Sequence, residues 1–161
     1  MAIIWFFWWK FLHLLGLVGF LSSHGVSIFV LDRIRKADLD RGRITQLISL
    51  SGQTTVPMYV SLAILLAGGI GAGLTAHDFW HLWLVVSIVI LVVTVGFMTS
   101  IAAPYFKQIT AACEVRPTGV PRKSDEELQA LINGPKNMLI NAIGFVGLLS
   151  ILYLMIFKPW L

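Results

Sequence analysis

The sequence predicts an all-α protein, a four-transmembrane-helix bundle, and three observations carry that prediction. Of 161 residues, 57% are hydrophobic and only 12% are charged, where soluble domains average about 25% charged. Four stretches, residues 11–31, 56–75, 79–103 and 138–157, reach the roughly 20 apolar residues needed to cross the hydrocarbon layer. The charged residues gather between these stretches rather than inside them. One membrane-embedded helical bundle over residues 1–161, with no second domain, is the expected organisation.

The first stretch follows Trp5, Phe6, Phe7, Trp8 and Trp9 and a single cation, Lys10. A secretory signal has a basic start, a shorter apolar core and a small-residue cleavage site, so this segment reads as a retained helix ending near Asp32. Lys10 either marks the outer interface or snorkels to it past the aromatic belt. In the first case His13 lies about one turn below the interface and His24 lies beyond the midplane.

Residues 32–43 then alternate acid and base, and Ile44, Leu47, Ile48 and Leu50 give an amphipathic approach to the second span. Its basic residues are expected to touch anionic headgroups, with a protein partner as the alternative. Pro57 predicts a restart or kink, because proline lacks a donor and pushes Val56 from helical angles. Gly68, Gly69, Gly71 and Gly73 follow, and Gly69 and Gly73 form a GxxxG pattern suited to close helix packing within the bundle. A phosphate loop is excluded, since no strand precedes these glycines and no lysine follows.

The short turn at residues 75–83 makes the second and third spans antiparallel neighbours. Asp78 is the expected N-cap of the third, with Trp80 and Trp83 in the headgroup belt. Pro104 is expected to end that span. Residues 111–123 contain two prolines and a glycine and resist regular structure. The lone Cys113 reads as an incidental residue of this loop, and it excludes an internal disulfide or a multi-cysteine metal site. Ser124 and Glu127 form a capping box that opens a short amphipathic helix in the loop between helices 3 and 4, its Leu128, Leu131 and Ile132 lying on the membrane or the bundle. Asn133-Gly134-Pro135 stops this helix and starts the last span.

The net charge of +4 reports orientation, with no indication of nucleic-acid binding. Arg33, Arg35, Lys36, Arg41 and Arg43 lie between the first two spans, and Lys107, Arg116, Arg122, Lys123 and Lys136 lie between the last two. Only Lys10 and Lys158 fall on the other side. Basic loops stay cytoplasmic, so the expected location is the cytoplasmic membrane with both termini outside and the loop helix inside.

The histidines carry the functional reading. His13 and His24 share a helix face roughly 16 Å apart, with Gly16, Phe20 and Ser27 on the same stripe. An ionisable side chain in so apolar a segment costs on the order of 2 kcal/mol or more and marks a cofactor, relay or substrate path. Haem iron takes axial histidine, and a bundle core can clasp it, with Gly16 leaving room for a flat group or for another helix beside His13. For His13 three readings stand: a cofactor ligand, a buried hydrogen bond between helices, or an interfacial residue facing water. His81 lies at matching depth and is the expected second ligand, making His13 and His81 the metal-binding pair.

His77 and His81, four apart, could instead hold a metal on one face or stand solvated at the interface. For His24 a polar packing seam with Ser22, Ser23 and Ser27 leads, although Met58, Met98 and Met138 are in the inner half and methionine can ligate haem. A zinc hydrolase is excluded because no HExxH occurs. Spans free of Asp and Glu disfavour a transporter.

At Trp8-Trp9-Lys10-Phe11-Leu12-His13, followed by Gly16, Gly19 and the basic run from Arg33 to Lys36, the chain resembles a group of small bacterial four-helix membrane proteins. The group includes CopD-like copper-resistance proteins, haem-b protoporphyrinogen oxidases and uncharacterised predicted integral membrane proteins. The resemblance implies an axial haem b ligand at His13. It departs from the oxidases in having no lysine in a later span, and from copper proteins in having few outer methionines and histidines. The expected function is thus haem-b coordination for electron transfer, alone or as a subunit of a membrane redox complex. A cofactor-free structural or accessory subunit is the alternative.

Overall fold

The computed structural model describes residues 2–76 and 80–159. Helix α1 spans Ala2–Arg35, α2 Arg41–Gln53, α3 Thr55–Ala76, α4 Leu82–Phe97, α5 Ala103–Cys113, α6 Asp125–Asn133 and α7 Pro135–Phe157. Four helical stretches are long and apolar enough to cross a membrane: Ile3–Arg35, Arg41–Ala76, Leu82–Cys113 and Asp125–Phe157. The chain is an all-α four-helix bundle with the composition of a multi-pass membrane protein. Side chains facing outward are predominantly apolar, among them Val92, Val93, Val146 and Ile156, as lipid requires.

Two junctions are made by proline and a neighbouring turn. Between α2 and α3 the chain breaks only at Thr54, whose N–H bonds Ser51 O at 3.2 Å, and Pro57 sits in the first turn of α3, where a missing donor costs least. Pro104, by contrast, does not end its span. The helix runs through it to Cys113 by opening into a single π-turn over Met98–Ala102. The Ala103 N–H reaches back five residues to Met98 O, and this wider turn makes room for the proline ring, which a regular α-turn would drive into the carbonyl four residues earlier.

Packing differs between the two ends. At the basic end Val30, Leu31 and Ile34 of α1, Ile44 of α2, Tyr105, Ile109 and Ala112 of α5, and Leu128 and Ile132 of α6 form one buried cluster. The Ser124–Glu127 capping box is present in both directions, at 3.2 and 3.0 Å, and the apolar face of α6 lies on the bundle. Cys113 is buried in the same cluster as the last residue of α5, a correction to its expected place in a polar loop. The helix outlasted the proline and carried the thiol inward. Arg41 ties this end together, donating to Ala112 O at 2.7 Å, Lys123 O at 2.8 Å and Asp125 Oδ1 at 2.6 Å.

Towards the other end the helices pack mainly as two pairs, α1 with α3 and α4 with α7. In the second pair the residue preceding α4 is His81, in extended conformation and making no side-chain capping bond to the helix; the expected cap, Asp78, lies outside the described residues. Trp80 is 94% exposed and Trp83 is 5% exposed. Only the first matches a headgroup belt, because Trp83 turns inward beneath Lys158, whose Nζ lies 4.9 Å from the ring centre.

Candidate functional site

Glycine sets the geometry of the α1–α3 pair. A β-carbon built on Gly16 would lie 2.6 Å from Leu65 Cα and collide with the Leu65 backbone nitrogen, and one on Gly68 would collide with the backbone nitrogen of His13. One on Gly71 would strike the Trp9 ring, and one on Gly19 the Ser61 hydroxyl. The two backbones approach as small residues on both sides allow. The tight contacts come from Gly16, Gly19, Gly68 and Gly71; Gly73 of the GxxxG pattern is buried as well.

This close approach positions His13. Its Nδ1 lies 2.8 Å from Leu65 O, a helical carbonyl with a second lone pair left uncovered because the residue four positions on is Gly69. A β-carbon there would fall 2.9 Å from His13 Nδ1. A carbonyl oxygen only accepts, so Nδ1 is the donor, and in the neutral imidazole Nε2 carries the lone pair. Among the described residues Nε2 has no hydrogen-bond partner, and it is absent from the buried unpartnered atoms, which are Trp83 Nε1 and Asn141 Oδ1.

The remaining candidates divide among different neighbours. Gly16 faces Leu65 beside His13. His24 stacks on Phe20, with ring centres 5.5 Å apart and 8° between planes, and its Nε2 lies 3.5 Å from where a β-carbon on Gly144 of α7 would be. Met98 Cε, at the start of the π-turn, lies 2.7 Å from that same point, so His24 and Met98 converge at one glycine. Ser27 Oγ bonds Ser51 Oγ at 2.8 Å, linking α1 to α2. The stripe that the sequence draws as one face thus meets α3, α7 and α2 in turn, because α1 crosses its neighbours.

His81 stands at the head of α4, its ring 6.5 Å from that of Trp83 at 17°. It belongs to the α4–α7 pair, whereas His13 is bonded into the α1–α3 pair. His77 lies outside the described residues. Among the described residues no group of three or more His, Cys, Asp or Glu side chains could hold a metal ion, so any metal here relies on isolated imidazoles and methionine.

Sequence reasoning missed the Leu65 carbonyl, the Arg41 clamp and the Met98–His24 convergence. The first had a signal: a glycine four residues after an apolar residue, opposite a histidine-bearing helix. The others depend on tertiary geometry. No family model, curated protein or solved structure matches the chain.

Proposed function

We propose that the protein is an integral membrane haem-b-coordinating electron-transfer protein, acting alone or as a small subunit of a membrane redox assembly, with His13 Nε2 as an axial ligand. The observation that carries this reading is the bond from His13 Nδ1 to Leu65 O at 2.8 Å. Metal-ligating histidines nearly always donate their other ring N–H to a carbonyl, carboxylate or water, which fixes the tautomer and makes the free nitrogen more basic. Here that bond holds the ring and leaves Nε2 without a protein donor in an apolar helix, where unsatisfied polar atoms are costly.

The donor set fits one axial position. Bound haem supplies a one-electron iron couple, and the chain's own contribution is orientation: Gly68 and Gly69 let the ring reach α3, and Leu65 O sets its plane. His24 and Met98 meet at Gly144, roughly 16 Å along α1 from His13 and too far to share one iron with it, so His81 is the candidate second ligand, and the spectrum of His81→Ala tests it. The excess of Lys and Arg in the two long connections supports a basic end facing the cytoplasm with both termini outside.

A cofactor-free accessory subunit is the second reading, favoured by the same bond acting as a strut between two glycine-rich helices. The visible spectrum of protein purified from haem-replete cells decides between them. A Soret band that shifts on dithionite reduction and is lost in His13→Ala is the expected result. Colourless, folded protein would leave only the strut.

A further inference from the structure

A groove of about 410 Å³ runs between α1 and α7 at the basic end, lined by Ile28 and Arg35 on one side and Met138, Asn141, Ala142 and Phe145 on the other. Ile28 and Arg35 are seven residues apart on α1, and Met138 and Phe145 are seven apart on α7, so each wall is about 10 Å long. The two spans run in opposite directions. Arg35 is therefore level with Met138 at the basic mouth, and Ile28 with Phe145 deeper in the membrane. One end is cationic and the rest apolar except for Asn141, one turn inward.

The charge at the mouth has no ion-pair partner among the described residues, although the Asp32 carboxylate lies close enough to interact with it. Arg35 enters no hydrogen bond or ion pair among the described residues, and the nearby acid Asp32 is bonded to Lys36 at 2.7 Å. Asn141 spends its Nδ2 on Asn137 Oδ1 at 3.2 Å, while its Oδ1 is buried without a donor.

We propose that this groove is a binding site for one anionic phospholipid of the bilayer. The phosphate sits at Arg35, and an acyl chain lies along Ile28, Ala142 and Phe145. Basic pockets between spans on the cytoplasmic side bind acidic headgroups in this way. The site is independent of any haem.

Native mass spectrometry of the full chain released from nanodiscs of mixed phosphatidylglycerol and phosphatidylcholine tests the proposal. The expected result is one phosphatidylglycerol retained per chain in preference to phosphatidylcholine, with apparent affinity about fivefold lower in Arg35→Gln and unchanged in Lys107→Gln, an exposed cation on α5. Ala142→Leu, which narrows the groove and keeps every charge, also lowers retention and reads the groove even where Arg35→Gln loses helix content. Equal effects of Arg35→Gln and Lys107→Gln, equal retention of both lipids, an unaffected Ala142→Leu, or displacement of the lipid by inorganic phosphate would each overturn it.

Discussion

Replacing Gly16 by alanine puts a carbon where the backbone of α3 already lies, 2.6 Å from Leu65 Cα and closer still to its nitrogen. Ordinary carbon contacts need about 3.5–4.0 Å, so the helices must part by about 1 Å. The obstacle is backbone and has no rotamer to yield. Overpacking of this kind costs about 1–3 kcal/mol, against which alanine gains up to about 1 kcal/mol of helix propensity over glycine. Gly25, on the same helix, supplies the matched control, since a β-carbon there meets nothing within 4 Å. Gly25→Ala keeps the propensity gain without the clash. The expected difference in stability between the two variants is therefore about 1–3 kcal/mol, with Gly16→Ala the weaker. Unfolding in mixed micelles by SDS titration, followed by helical circular dichroism, measures it. Equal midpoints for the two variants would refute the close approach of α1 and α3, and with it the geometry that brings His13 to Leu65.

Arg41→Ala removes three hydrogen bonds from a largely buried guanidinium and should cost about 1.5–3 kcal/mol. Asp125→Asn, at a carboxylate 70% exposed, should cost less than about 1 kcal/mol; equal losses in the same titration would mean that the ion pair to α6, not the bonds to the carbonyls, fastens Arg41. Cys113, 6% exposed, is expected to resist a maleimide reagent in the folded protein and to react once SDS has unfolded it. Fast native labelling would contradict its place in the core.

The architecture was legible because it rests on local patterns. Apolar runs marked the four spans, and the Ser124–Glu127 box and the glycines of the second span each announced one structural event that the fold contains. What failed were positions where tertiary packing overrides a local rule. Pro104 signals a helix end, yet flanking apolar turns keep the helix going and the strain is taken up by a π-turn. Trp83 has the sequence context of a headgroup tryptophan, but α7 and Lys158 cover it. Asp78 is a better capping residue than His81 by chemistry, but α4 begins at Leu82, directly after His81. The site was half legible: a histidine in an apolar helix is conspicuous, but its partner is a backbone carbonyl, which no side-chain pattern records. The common face of His13 and His24 was correct for an isolated helix, and the crossing of α1 over three neighbours divides it.

Chemical rescue at position 13 tests the haem reading most directly. In His13→Gly the axial nitrogen is gone, and the account expects the low-spin Soret spectrum to be lost and then restored by added imidazole, while His13→Gly without imidazole stays folded by circular dichroism. A variant whose spectrum is unchanged from the parent, or a parent protein that takes up no haem at all, would contradict it.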